Sequence, residues 1–201
     1  MRVIVACEFS GRVRDAFIAS GHEAVSCDLL PTESNGPHYQ GDVFDIIDEG
    51  WNLMIAHPPC TYLCSSGLHW NKRKPGRAAK TEEALEFVQR LLEVPIERIA
   101  LENPVGCIST RIRKYDQAIQ PWMFGDNASK NTCLWLKNLP PLVPTNIVEP
   151  RIVEGKKRWA NQTDSGQNRL GPSEDRCKVR SATYAGIAAA MAEQWGPICH
   201  P

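Results

Sequence analysis

The feature that most constrains this chain is the alternation, across residues 1–107, of short apolar runs with stretches of helical period. Arg2 to Cys7 is a β-branched run; Ser10-Gly11 follows, then Val13, Ala16 and Phe17 at helical spacing, stopping at the glycine C-cap signal Ser20-Gly21. Ala24 to Cys27 reads as a second strand ending in Asp28 and Asn52 to Ala56 as a third, with Asp42-Val43 in the turn-rich stretch between them. Thr81, Glu82 and Glu83 are expected to open a helix with acids in its first turn. Its stripe of Ala84, Leu85, Val88, Leu91 and Leu92 ends before Pro95, and Ile96 to Leu101 forms another buried strand closing at Glu102. This order predicts an α/β fold, a mostly parallel sheet with helices on both faces, which binds ligands at the carboxyl ends of its strands. Glu8, Asp28, His57 to Cys60 and Glu102 all fall at those ends.

Beyond residue 107 the alternation weakens, with Pro121, Pro140, Pro141, Pro144, Pro150 and Pro172 punctuating short segments such as Thr132 to Leu136. The last element is clearer: Ser181 can cap a helix in which Tyr184, Ile187, Ala188, Met191 and Trp195 recur at helical spacing. One domain over residues 1–201 is expected: a core at 1–107, a small irregular substrate-side region at 108–180, and a helix at 181–196 that packs back on the core. The 201 residues, 42% apolar, suit a single core.

The 23 basic residues balance the 23 acidic ones, so no global field draws the chain to a polyanion, and any such site has to be local. The apolar run Val3 to Cys7 leads straight into Glu8, far short of a signal core or a membrane span, which points to a cytoplasmic protein with no membrane partner. Its eight cysteines are then expected as free thiols. Cys60 and Cys64 have the wrong spacing for a Cys-x-x-Cys zinc pair, so no metal is expected.

Two prolines in His57-Pro58-Pro59-Cys60, directly after a buried strand, hold the next side chain in one direction, which suits a thiol nucleophile. The same tetrapeptide also reads as a strand end with a packed thiol. Leu101-Glu102-Asn103-Pro104 tilts the balance, because it puts a carboxylate at the end of the next strand, where burial demands a partner or a task. A Cys and a Glu at adjacent strand ends can face one cleft. Glu8-Phe9-Ser10-Gly11 occupies the first strand-to-helix turn, where a small residue lets a nucleoside cofactor approach. Asp28 stands where a doubly wound fold places the acid that takes ribose hydroxyls, or is a turn residue.

Together these residues resemble the DNA cytosine-5 methyltransferases. Phe9-Ser10-Gly11 looks like the family's cofactor loop, Pro58-Pro59-Cys60 its nucleophile motif and Glu102-Asn103-Pro104 its carboxylate motif, in the same order and with similar spacing. Tyr184-Ala185-Gly186-Ile187-Ala188 is similar to the closing motif that packs beside the cofactor loop. The match resembles the short, phage-type members, since the large target-recognition domain has no room here. Val13 and Arg14 stand where the family has paired glycines, Thr61 where it usually has Gln, and Pro104 where it usually has Val.

The resemblance implies a Rossmann-like fold and S-adenosyl-L-methionine held by Glu8, Phe9, Ser10, Gly11, Asp28, Leu29, Asp42, Val43 and Pro58. It implies that Cys60 adds to C6 of cytosine so that C5 can take the methyl group, while Glu102, its carboxyl pKa raised by burial, attends N3. The family's base-contacting arginine has a partial counterpart in Gln167-Asn168-Arg169, so Arg169 is the expected third catalytic residue, with Arg158 or Arg180 as substitutes. Pro59, Thr61 and Asn103 are expected at the substrate. Lys72, Arg73, Lys74, Arg77 and Lys80 occur with no intervening acid beside His69 and Trp70, a local basic surface for phosphates or an ordinary solvated loop. Lys156, Lys157 and Arg158 beside Trp159 are a second basic stretch.

DNA, duplex or single-stranded, is the expected partner; action on a free cytosine nucleotide or on single-stranded nucleic acid is the first alternative, and a non-catalytic binding module of the same fold is the second. An amino-methyltransferase would carry Asp or Asn before Pro-Pro and an aromatic after it, where this chain has His57 and Cys60. A zinc deaminase would need a His-x-Glu and a Pro-Cys-x-x-Cys, and neither occurs.

Overall fold

A computed structural model describes residues 1–173 and 176–199. Its first half alternates as the sequence predicts: β1 (Arg2–Ala6), α1 (Arg12–Ala19), β2 (Glu23–Asp28), β3 (His38–Gln40), β4 (Leu53–Ala56), α2 (Ser65–Leu68), α3 (Arg77–Glu93) and β5 (Arg98–Pro104). The second half contributes α4 (Ile108–Arg111), β6 (Gln117–Ile119), β7 (Thr132–Lys137), β8 (Arg151–Val153), β9 (Lys156–Arg158), α5 (Arg176–Ser181) and α6 (Ala185–Trp195). Among the described residues one large sheet has the order β3-β2-β1-β4-β5-β7-β6, and β8 pairs only with β9. The pairs from β3 to β5 are parallel; β7 runs antiparallel to β5 and β6.

Buried parallel strands read as unbroken apolar runs because both faces are covered, and β1 shows it. Val3 and Val5 pack with α1 and α6 through Phe17, Ile187 and Met191, while Ile4 and Ala6 pack on the opposite face with Leu85, Val88 and Leu91 of α3. Each such fully buried aliphatic side chain contributes about 1.5–3 kcal/mol. Strand order reverses between β1 and β4, and this switch point opens a crevice at the strands' carboxyl ends.

Three boundaries differ from the sequence reading. Helix α3 starts at Arg77, after Gly76 at φ 73, because Ala78 and Ala79 are strong helix formers that carry the helix four residues upstream of Thr81. Thr81 is a buried tie, donating to the Tyr62 carbonyl at 3.0 Å and accepting from Asn71 at 2.9 Å. Ser181 closes α5, and α6 begins after Tyr184. The orphan N–H of Gly186 is met by Asp126 at 2.9 Å, a carboxylate too distant in sequence to be recognised as a cap. Last, the region from 108 to 180 is less irregular than expected, since β6 and β7 extend the main sheet.

Candidate active site

A cavity of about 450 Å³ lies at the switch point, lined by Cys7 after β1, Cys27 and Asp28 on β2, Asp42 and Val43, Pro58, Pro59 and Tyr62 after β4, and α3 residues including Phe87. Asp28, Leu29, Asp42, Val43 and Pro58, expected to hold a cofactor, thus share one cavity. Leu29 is 74% exposed, at its mouth. Asp28 accepts one bond, from the Leu30 N–H at 2.9 Å, and Asp42 one from Phe44 at 3.0 Å, so each retains acceptor capacity.

The expected cofactor-loop residues do not line this cavity. Glu8 is buried, and its carboxylate accepts from the N–H groups of Val13 at 2.7 Å and Arg14 at 3.2 Å, capping α1 from the preceding turn. The Ser10 hydroxyl donates to the same carboxylate at 3.3 Å, Phe9 is buried, and Gly11 supplies φ 72 at the N-cap. Val13 and Arg14, in place of the family's glycines, project elsewhere. Val13 enters the core, and the fully buried Arg14 guanidinium donates to Ser26, Thr32, Ser34, Asn35 and Pro37, clamping the chain before β3.

The strand ends that carry the expected pair, Cys60 and Glu102, lie side by side, and neither residue lines the cavity. Strands β4 and β5 run in parallel register to Ala56 and Leu101, so His57 and Glu102 emerge as the next neighbours. His57 Nδ1 lies 2.8 Å from Glu102 Oε2, with both side chains more than nine-tenths buried. Asn103 Nδ2 donates to the Pro58 carbonyl at 2.7 Å, fixing the turn that presents Cys60. Asn103, expected at the substrate, is 1% exposed and supports that turn. The far side of the turn is pinned too: Cys107 N–H donates to the Leu63 carbonyl at 2.9 Å and Ser65 N–H to Val105 at 3.0 Å. Gly106 permits that approach, since a Cβ there would overlap the Leu63 carbonyl.

Electrostatics correct one expectation. Burial pushes the Glu102 pKa up, but the Lys130 charge and the His57 hydrogen bond outweigh it and hold the carboxyl down at about 2, so it is ionised rather than protonated. The neighbouring Cys64 thiol raises the Cys60 pKa; burial and the Glu102 charge add to the rise, and Lys130 opposes it. Cys64 is correspondingly lowered by Cys60, with donors in Ser66 and the Gly67 N–H.

Lys130, just before β7, is the cation that the sequence reading missed; an isolated lysine in an Asn- and Ser-rich connection carries no signature. Arg169, the expected third residue, is exposed and donates from Nε to the Gln162 carbonyl at 2.8 Å, beside Thr163, Asp164 and Ser165. Arg158 is engaged with the Asp164 carbonyl at 2.9 Å, and Arg180 offers its backbone carbonyl to Lys130 Nζ at 3.1 Å. The charge that bears on both Cys60 and Glu102 is that of Lys130.

The expected basic loop is folded into α2, a 3-10 turn and the start of α3. Arg73 and Lys74 lie over the ring of Trp70, and Arg77 and Lys80 over that of Tyr62, at 4.8–5.8 Å from the ring centroids. Lys72 is exposed on the same segment. Arg77 also donates to the Thr61 carbonyl at 2.8 Å, so Thr61 anchors this surface through its backbone. Trp159 stacks on Trp122 at 5.3 Å and seats the β8–β9 hairpin with Lys156 and Lys157 exposed. Arg12 donates to the Thr183 carbonyl at 3.0 Å, which brings α6 beside the first turn. Cys7, Cys27, Cys60, Cys64, Cys107 and Cys133 are free thiols, and no described helix is long and apolar enough to cross a membrane.

No family model matches the sequence, and no curated protein matches it. In three dimensions the chain is similar to a protein described as a DNA modification methyltransferase encoded within an E. coli prophage, with TM-score 0.50 and 15% identity over 77% of this chain and 53% of that one. It is also similar to the Dnmt2 methyltransferase of S. pombe (TM-score 0.45, 14% identity, 70% of this chain and 51% of that one). A substituted DNMT2 of Spodoptera frugiperda gives TM-score 0.43 and 15% identity over 78% of this chain and 57% of that one. The chain spans about half the length of the structures it matches. What the prophage likeness shows is the fold: this chain is a mostly parallel, Rossmann-like α/β domain of the kind seen in a methyltransferase structure.

Proposed function

We propose that this protein is an S-adenosylmethionine-dependent methyltransferase that modifies C5 of cytosine in nucleic acid, with Cys60 as nucleophile, Glu102 as the carboxyl at the base edge and Lys130 as their shared cation. What supports this reading is that the turn presenting Cys60 after β4 is tied through Asn103 to β5, the adjacent parallel strand that carries the buried Glu102, beside a cavity of nucleoside size.

The cavity suits the cofactor: Asp28 and Asp42 offer acceptors for hydroxyl or amine hydrogens, and Val43, Phe87 and Leu29 provide apolar walls for a purine. S-adenosylmethionine, when bound, supplies an electrophilic methyl group for C5. Cys60 loses its thiol proton to solvent and its sulfur bonds to C6, which pushes an electron pair into the ring toward C5 and N3. N3 then needs a proton, and Glu102 must gain one to provide it. Lys130 holds Glu102 ionised in the free protein, so a phosphate that pairs with Lys130 and a base that excludes water would each raise its proton affinity. A solvent-derived base takes the C5 proton, the Cys60–C6 bond breaks to return the thiolate, and the N3 proton goes back to Glu102.

Nucleic acid is favoured over a free nucleotide by the surface after Cys60, where Trp70 is 39% exposed among five cations and no acid up to Lys80. Base stacking on an aromatic flanked by cations suits an unpaired strand. The test is methyl transfer from labelled cofactor to a cytosine-containing single strand, its duplex and dCTP, with the product digested to nucleosides. Label in 5-methylcytosine from a strand supports the reading; label only in dCTP, in N4-methylcytosine or nowhere overturns it.

A further inference from the structure

We infer that His57 is a positioning residue of this site: it holds Glu102 through Oε2 in one orientation and leaves Oε1 as the oxygen presented to the base. The inference rests on the reading just given and deepens it, since nothing in the resemblance assigns a role to the residue before the two prolines.

Four observations support it. First, the parallel register makes His57 and Glu102 neighbours across β4 and β5, and Nδ1 meets Oε2 at 2.8 Å. Second, both ends of His57 are fixed: its N–H donates to the Ala6 carbonyl at 2.9 Å, and Pro58 follows, its carbonyl tied to Asn103. Third, among the described residues no hydrogen bond reaches Glu102 Oε1, and it is not one of the fully buried unsatisfied atoms, so it keeps accessible surface and a free acceptor. Fourth, His57 Nε2 is buried without a partner, so the ring's one hydrogen bond is the one to Glu102.

The hydrogen lies on Nδ1, because an ionised carboxylate can only accept. A glutamate at a strand end has rotamers to choose among, and a buried histidine bonded to one oxygen removes that choice. Packing alone would be served by any residue of similar size; orientation needs a donor at the Nδ1 position. Other titratable groups bear on Glu102 as well: Lys130 from the segment before β7, Cys60 from the turn after β4, and Cys133 from β7. None of them changes in the variants proposed.

The variants are His57→Asn, whose amide N–H sits near the Nδ1 position, His57→Gln, whose amide sits near Nε2, and His57→Leu, which has no donor. Each is tested for covalent trapping on a single-stranded oligonucleotide carrying 5-fluorocytosine, with S-adenosylmethionine, from pH 5 to 9. Trapping by His57→Leu and His57→Gln should slow about 10- to 100-fold while His57→Asn stays within about three-fold of wild type, the scale of a hydrogen bond to a charged group. Equal rates for wild type and His57→Leu, or an Asn variant as slow as the Leu variant, would overturn the inference. If wild type is not trapped, the functional reading fails, and carboxyl NMR of Glu102 decides separately. Its titration midpoint should rise in His57→Leu and be restored in His57→Asn; an unmoved midpoint overturns the positioning role.

Discussion

The amide of Asn103 donates to the carbonyl of Pro58 at 2.7 Å in a place closed to water, tying the end of β5 to the turn that presents Cys60. Glu102 and Cys60 are therefore set relative to each other by a bond belonging to neither. Replacing Asn103 with Ala leaves that carbonyl unpaired, and chemical denaturation should show a loss of about 1–3 kcal/mol. A loss near zero would mean that the turn is held by its prolines alone.

Glu102 gives the protein a defined acid sensitivity. Its folded-state pKa is depressed from 4.5 to about 2, so the stability it contributes is complete above pH 4.5 and is lost as pH falls toward 2. The loss is of order ~3 kcal/mol at most. Thermal denaturation between pH 5 and 2 should show this component in wild type and not in Glu102→Gln, where nothing titrates.

Lys130 and Arg169 make opposite predictions. Lys130→Met removes the charge that reaches both Cys60 and Glu102, and trapping or turnover should fall by about 10-fold or more. Arg169→Ala, which gives up a surface bond to Gln162, should stay within about three-fold. The reverse result would restore Arg169 to the site.

The sequence revealed most where short-range physics decides. The strand positions and the residues at their carboxyl ends were legible because β-branched runs and helical stripes differ in period, and the order of those runs placed the strand ends that carry Cys60 and Glu102 side by side. What was not legible depends on partners distant in the chain. The cap that Glu8 makes on α1 has no sequence signature, because it needs the turn to fold its carboxylate back on two N–H groups. Arg14 looked like a lost glycine but is a buried clamp whose acceptors lie in residues 26–37. Lys130 reached the site only once β7 was inserted beside β5.

The basic surface after Cys60 should bind nucleic acid through charge and stacking together. Changing Lys72, Arg73 and Lys74 to Ala should weaken binding to a fluorescent single strand and lower the salt dependence by about two to three counterions. Trp70→Ala should weaken binding by about 1–3 kcal/mol at unchanged salt slope. An unchanged affinity in both variants would leave this segment an ordinary solvated face.

The central claim is that Cys60 bonds to the C6 carbon of a cytosine in nucleic acid. Mass spectrometry after incubation with a 5-fluorocytosine oligonucleotide and S-adenosylmethionine tests it directly. The account predicts a stable adduct mapped to Cys60, absent in Cys60→Ser and present in Cys64→Ser; an adduct that survives in Cys60→Ser, or none in a folded wild type, would contradict it.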